Sequence, residues 1–87
     1  MITRKITYRG TMNDEAVGII FRIARKNEIT GQVKTISPEE IQLNLEGDAA
    51  MIKLIQHQIE REAKEYIKDK TVEVMQYQYY VGVTLLN

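Results

Sequence analysis

The sequence of 87 residues predicts an α+β fold in which one antiparallel sheet packs against two helices on a single face. Two apolar stripes have helical spacing, and several apolar stretches alternate with the period of a strand. These elements follow one another as β-α-β-β-α-β, with an extra strand at the end. The order is that of the split βαβ, or ferredoxin-like, arrangement, and the length suits one hydrophobic core.

The first strand and the first helix are separated by a short break. Ile2, Ile6 and Tyr8 alternate with polar residues, and because Arg4 interrupts the apolar side, we expect the strand to begin near Arg4. Asn13 is a good N-cap. The helix behind it is predicted to end near Asn27 or Glu28, and its buried stripe is predicted to be Val17, Ile20, Phe21 and Ala24, widened by Ile23.

Two strands and a second helix follow. One strand is predicted from Ile29 to Ile36, and a proline-containing turn joins it to an antiparallel neighbour. On that neighbour the side chains facing the core are predicted to be Ile41, Leu43 and Leu45. Asp48 caps the second helix. Its buried stripe is predicted to be Ile52, Ile55, Ile59, Ala63 and Tyr66, helped by Met51 and Ile67.

The C-terminal part of the chain is rich in β-branched and aromatic residues. The apolar phase changes at Val74-Met75, which predicts a bulge or a change of partner strand, and Gly82 predicts a second irregularity. Tyr77, Tyr79 and Tyr80 lie in this ribbon, and tyrosine is an efficient interface residue. We expect these side chains either to cover the open face of the sheet or to form a homodimer through the C-terminal strand.

The composition argues against several classes of protein. The chain has no cysteine and one histidine, so it lacks the residues for disulfides or a zinc site. Twelve basic and twelve acidic side chains give a net charge of zero, without the basic stripe that nucleic-acid binding requires. No apolar stretch has membrane-spanning length or resembles a signal peptide. We therefore expect a cytoplasmic protein without metal, cofactor, nucleic acid or membrane.

The segment Ala24–Asp48 resembles the middle of the acylphosphatases. That family carries A-x-x-x-G-I-x-G-W-V-x-N and, after a hairpin, a strand ending in E-G-D. Gly31, Val33 and the run Glu46-Gly47-Asp48 fall at the family spacing without a gap. The resemblance implies the ferredoxin-like fold, a single acylphosphatase-like domain over residues 1–87, and hydrolysis of carboxyl–phosphate anhydrides.

The family's catalytic groups are an arginine in a phosphate loop, written G-R-V-Q-G-V-G-F-R, and an asparagine that orients the attacking water. The asparagine falls on Thr35. In the ungapped register the loop falls on residues 9–17, and Val17 occupies the arginine position. Asp14 and Glu15 then put negative charge where the anion would sit. The phosphate-binding candidates in this register are Arg9, Gly10 and Thr11.

A second register matches residues 17–22 to Q-G-V-G-F-R and makes Arg22 and Thr35 the catalytic pair. It requires an inserted loop before Asp14 and a shortened first helix. We favour the first register, which predicts an acylphosphatase-like domain that has lost hydrolysis and serves as a small binding or self-association module. The alternative is an active acylphosphatase with a rearranged phosphate loop, and binding of a small anionic ligand stays open with it.

A third interpretation comes from a resemblance to flavin-binding blue-light sensor domains. Their ITG and LEG segments look like Ile29-Thr30-Gly31 and Leu45-Glu46-Gly47, and Tyr8 falls where that family has its photoactive tyrosine. The family's strand glutamine, however, falls on Leu43. Because the hydrogen-bond relay around the flavin would lack this glutamine, the interpretation ranks below the other two.

Overall fold

The computed structural model describes residues 1–26 and 28–86, and it has the predicted element order. The elements are β1 (Ile2–Gly10), α1 (Asp14–Lys26), β2 (Thr30–Ser37), β3 (Glu40–Gly47), α2 (Ala49–Glu62), a 3₁₀ turn (Lys64–Tyr66), β4 (Ile67–Met75) and β5 (Val83–Leu86). The strands form one sheet in the order β4-β1-β3-β2-β5. The predicted fold class is confirmed; the extra C-terminal strand β5 runs parallel to β2, so the sheet is mixed at that edge.

The core lies between the sheet and the two helices. The predicted alternation on β3 is confirmed, since the side chains of Ile41, Leu43 and Leu45 are fully buried. They meet Ile6 and Tyr8 of the neighbouring strand β1 on the same face. Each such side chain removed from water contributes roughly 1.5–3 kcal/mol, so this row carries much of the stability of the fold.

Both predicted helix caps are confirmed. The side chain of Asn13 accepts a hydrogen bond from the backbone N–H of Ala16 at 2.9 Å, and that of Asp48 accepts one from Met51 at 3.3 Å. The buried stripe of α2 includes the predicted Ile52, Ile55 and Ile59, with Ala63 buried at the helix end. Tyr66 and Ile67 lie beyond α2, in the 3₁₀ turn and at the start of β4.

The predicted stripe of α1 needs correction. Its buried residues are Ala16, Ile20, Ile23 and Ala24. Val17 and Phe21 are only half-buried and line a groove instead. Both sets have helical spacing, and the helix is rotated so that the small Ala16 faces the sheet. The helix ends at Lys26; the predicted end at Asn27 lies outside the described residues.

The start of β1 also differs from the prediction. The strand begins at Ile2 and not near Arg4. The reason is that each residue from Thr3 to Arg9 pairs with both β3 and β4. Main-chain hydrogen bonds therefore hold Arg4 within the strand although its side chain is polar.

The C-terminal ribbon is interrupted and not one continuous strand. β4 pairs with β1 at one edge of the sheet, and β5 pairs with β2 at the other. Residues 76–82, which we call the strap, connect the two edges. The predicted change of partner after Val74-Met75 is therefore confirmed, while Tyr77, Tyr79 and Tyr80 lie in the strap and not in a strand.

Within the described residues, no helix is long and apolar enough to cross a membrane. The cytoplasmic location stays a prediction.

Substitution by alanine should change the free energy of unfolding in opposite directions at Gly31 and at Gly18. A Cβ on Gly31 would lie 2.0 Å from the carbonyl oxygen of Asn44 across the β2–β3 pair, whereas a Cβ on Gly18 meets nothing within 4 Å. Gly31→Ala should therefore lower the free energy of unfolding by more than about 2 kcal/mol. Gly18→Ala, in the interior of α1, should raise it by about 0.5–1 kcal/mol. Urea titration measures both, and equal effects would contradict the close approach at Gly31.

Candidate binding groove

A groove of about 570 Å³ lies between α1 and the β2–β5 side of the sheet. The residues lining it are Met12, Asp14, Val17, Gly18, Phe21, Thr35, Ile36, Ser37, Pro38 and Leu85. Six of these ten carry apolar side chains other than glycine, and Gly18 forms an open notch in the helix wall. The walls come from segments far apart in sequence, so the sequence pattern alone did not reveal the groove.

The two ends of α1 place opposite charges beside the groove. Asp14 lies at the start of the helix. Gly18 and Phe21 also line a second depression of about 390 Å³, whose other residues are Arg22, Arg25 and Lys26. The guanidinium of Arg25 lies 6.0 Å from the centre of the Phe21 ring. An acidic end and a basic end thus lie roughly 16–18 Å apart along the helix.

Thr35 lies in the groove, and its hydroxyl is hydrogen-bonded to the end of β5. Its Oγ1 donates to the carbonyl oxygen of Leu86 at 3.3 Å, which ties the end of β5 to β2. The side chain therefore helps to hold the groove wall that Leu85 forms.

The connection between β1 and α1 is three residues long and is firmly bound to neighbouring backbone. The N–H of Gly10 donates to the carbonyl of Glu39 at 2.9 Å, that of Thr11 to Tyr66 at 2.9 Å, and that of Met12 to Pro38 at 2.8 Å. A phosphate loop uses such N–H groups to cradle an anion. Here three consecutive N–H groups already have protein acceptors.

Arg9, predicted to bind phosphate with Gly10 and Thr11, faces acidic side chains. Its guanidinium lies 3.4 Å from Glu40 and 3.5 Å from Asp69. All three predicted residues line a separate depression of about 450 Å³ that also contains Ser37, Glu39, Glu40 and Lys68. The structure thus brings Arg9, Gly10 and Thr11 together, but away from Thr35.

Arg22 lies in the middle of α1, exposed, with its guanidinium 3.4 Å from the carboxylate of Glu62 on α2. The second register would require a loop where residues 17–22 form continuous helix. Arg22 lines the second depression and Thr35 lines the groove, and the two depressions share Gly18 and Phe21. The structure therefore does not bring this predicted catalytic pair together.

The three predicted interface tyrosines differ in exposure. Tyr79 is 80% exposed with φ of +60°, while Tyr77 and Tyr80 are half-buried. The rings of Tyr77 and Tyr79 meet edge to face with centroids 4.7 Å apart. This geometry presents one aromatic side chain to solvent at the middle of the strap.

Glu46 holds the strap, a role that sequence reasoning missed. Its carboxylate is buried on the face of the sheet opposite the helices, and Oε2 accepts hydrogen bonds from the hydroxyl of Thr3 and the N–H of Gln78. Oε1 accepts from the N–H of Tyr80 at 2.6 Å. The E-G-D motif marks Glu46 as part of the family resemblance, but it does not indicate which groups the carboxylate binds.

The hydrogen bonds to Glu46 stabilise its charge. Burial alone would raise the pKa of this carboxyl group, but the bonds from the Thr3 hydroxyl and from backbone N–H groups of the strap outweigh burial. The pKa therefore lies below the ordinary glutamate value, and the carboxylate is the form that the folded chain prefers.

A second polar cluster lies under α2. The hydroxyl of the fully buried Tyr8 donates to Glu60 at 2.9 Å, and the ammonium of Lys70 lies 2.8 Å from the same carboxylate. Burial, the charge of Glu60 and this hydrogen bond raise the pKa of Tyr8. The cluster ties β1, α2 and β4 together. Among the described residues, no group of three or more metal-ligating side chains lies together.

The fold is the acylphosphatase-like form of the ferredoxin-like fold. No family model matches the chain, and no curated protein matches it, so the likeness is structural. The acylphosphatase from Bacillus subtilis has a TM-score of 0.87 at 13% identity over 100% of both chains. An acylphosphatase from Coxiella burnetii has a TM-score of 0.81 at 16% identity over 97% of this chain and 90% of that one.

Two larger proteins contain a similar fold. Full-length HypF, in a phosphate- and nucleotide-bound form, has a TM-score of 0.77 at 23% identity over 99% of this chain and 12% of HypF. A bacterial light-regulated adenylyl cyclase has a TM-score of 0.63 at 12% identity over 98% of this chain and 28% of that one. Leu43 lies buried in the core at the position where the resemblance to the light sensors expects a glutamine.

Removing the charge of Glu46 should destabilise the fold and should make its stability depend less steeply on pH in the acid range. Glu46→Gln places an amide donor against the N–H groups of the strap and should cost about 1–3 kcal/mol at pH 7. Because the pKa of Glu46 is lowered on folding, its stabilisation is present above the unfolded-state pKa and is lost as pH falls through the folded-state pKa. Urea titrations between about pH 3 and pH 7 measure both effects.

The matched control is Glu73→Gln on β4, where the carboxylate is exposed. This variant should stay within about 0.5 kcal/mol of the wild type. If Glu46→Gln lost stability with acid as steeply as the wild type, the buried carboxylate would not be the group responsible.

Proposed function

We propose that this chain is a non-hydrolytic binding module on the acylphosphatase-like fold, with the groove beside α1 as its ligand site. The observation that carries the proposal is the groove lining. The position expected for the catalytic arginine is Val17, the position expected for the asparagine is Thr35, and the charged side chain lining the groove is Asp14. An apolar surface replaces the charged anion site.

The candidate arginines are engaged elsewhere. Arg9 is balanced by Glu40 and Asp69, and Arg22 by Glu62. Hydrolysis of an acyl phosphate depends on cations and N–H donors placed around the phosphoryl group before the reaction. In the described part of the chain, no arginine or lysine side chain lines the groove with Thr35.

The groove instead suits an apolar ligand with a few polar atoms. Binding sites of this kind are concave, mostly apolar and contain a small number of placed polar groups. Here the side chains of Val17, Phe21 and Leu85 provide the apolar surface, and Asp14 and Ser37 provide polar groups at one end.

Purified protein should hydrolyse benzoyl phosphate no faster than buffer. Arg9→Ala, Arg22→Ala and Thr35→Asn should leave that result unchanged, because none of these residues faces an assembled anion site. The measurement is release of inorganic phosphate, with an established acylphosphatase as the positive control.

Turnover by the wild type would favour the alternative, an active acylphosphatase with a rearranged loop. Loss of that turnover in Arg22→Ala would support the second register. Loss only in Arg9→Ala would assign the anion site to the depression around Arg9, Gly10 and Thr11.

A second candidate function is homodimer formation through the C-terminal strap. The observation favouring it is exposure, since Tyr79 is 80% exposed and Val81 92% exposed in one short segment. Exposed apolar and aromatic side chains next to each other are typical of interaction surfaces.

If the strap mediates a dimer, Tyr79→Ser combined with Val81→Ser should weaken dimerisation by about tenfold or more. Val74→Ser is the control, because Val74 is 74% exposed but lies on β4. Sedimentation equilibrium measures the dissociation constant of each variant. A wild type that stays monomeric at millimolar concentration would rule this function out.

A further inference from the structure

We propose that the ligand of the groove is an extended peptide segment that adds to the free edge of β5, with apolar side chains in the groove and acidic side chains beside Arg25 and Lys26. This inference rests on the proposed function and names the ligand class. Three features carry it: the unpaired edge of β5, the apolar wall beside that edge, and the charge of α1.

Among the described strands β5 lies at the edge of the sheet, with peptide groups available on its outer side. The carbonyl of Gly82 accepts from the N–H of Gly31, and the carbonyl of Leu86 accepts from Thr35. Because successive peptide groups of a strand point to opposite sides, those of Val83 and Leu85 point away from β2. Two N–H and two C=O groups therefore face outward, the set that an added strand needs.

The apolar groove lies next to that edge. Val83 and Leu85 pair with Gly31 and Val33 of β2, so their side chains share the helix-facing side of the sheet. Leu85 itself lines the groove. A strand added outside β5 would place alternate side chains on this same side, between β5 and α1. Those side chains would meet Leu85 and the half-buried Phe21.

The direction and charge of the segment follow from α1. The basic end of α1 lies near the start of β2, to which Val83 is adjacent, and the acidic end at Asp14 lies near Leu85. An antiparallel strand is the more stable addition and would run its C-terminal end toward Val83. Acidic residues should therefore follow the apolar residues in the bound segment.

The charges of α1 favour an acidic segment as the occupant. Arg22, Arg25 and Lys26 line the depression next to the groove, and Glu62 lies 3.4 Å from Arg22. A segment with carboxylates at this end makes favourable contacts with these basic side chains. A second copy paired antiparallel through β5 is an alternative outcome of the test.

The test is selection from a library of random peptides of about eight residues displayed on phage. We expect enriched sequences in which apolar residues alternate and acidic residues follow toward the C-terminus. One enriched peptide is then synthesised, and its affinity for the full chain is measured by fluorescence anisotropy. Arg25→Glu should weaken binding by about tenfold or more.

Two controls separate strand addition from simple apolar contact. The same peptide with N-methyl groups on alternate amides should lose binding, since it cannot pair with the edge. Gly18→Leu should weaken binding by filling the groove, because a Cβ there meets nothing within 4 Å, whereas Val74→Leu, at an exposed position on β4, should bind as the wild type. Amide exchange of Leu85 should slow when the unmodified peptide binds.

Several results would overturn this proposal. They are a library without enrichment, enrichment of basic sequences, undiminished binding of the N-methylated peptide, or a wild-type chain that dimerises through β5. Turnover of benzoyl phosphate would refute the proposed function, whatever the result of the peptide selection. No turnover together with no peptide enrichment would refute only the peptide ligand.

Discussion

The buried carboxylate of Glu46 is the interaction on which the unusual part of this structure depends. Strand pairing and the apolar core account for β1, β2, β3 and the two helices. The strap has no strand partner, and it reaches the far edge of the sheet because backbone N–H groups of Gln78 and Tyr80 converge on one ion. A buried carboxylate without such donors would be strongly destabilising. The carboxylate therefore depends on the N–H groups of the strap, and the strap depends on the carboxylate for its attachment.

This dependence reaches the groove. The strap places β5 beside β2, and the hydroxyl of Thr35 then fixes the last carbonyl of β5. Leu85 thereby becomes a wall of the groove, opposite Val17 and Phe21 of α1. In the resemblance to acylphosphatases, Val17 and Thr35 stand at the catalytic positions. In the proposed binding module, which rests on the ungapped register, apolar surface and a structural hydroxyl stand where the family has a charged site.

Much of the fold was predictable because local rules and packing agree. The alternation on β3, the caps Asn13 and Asp48 and the apolar stripe of α2 each have one simple interpretation. The stripe of α1 was predicted only in part, because Ala16 and Val17 both fit a helical period and only packing chooses between them. The parallel pairing of β5 and the path of the strap depend on long-range contacts of Glu46, which no local pattern contains. The groove was missed for the same reason, since its walls are far apart in sequence.

The attachment of β5 also bears on how the molecule folds and opens. This strand has four residues and one neighbouring strand, and its partners on β2 precede it by about 50 positions. Closing so long a loop is entropically costly, so we expect β5 to dock after the rest of the sheet has formed. Short edge elements with few buried contacts are also the first to detach in native-state fluctuations. One wall of the groove would then belong to the least stable cooperative unit of the fold, and anything bound there would slow the opening of the C-terminal segment.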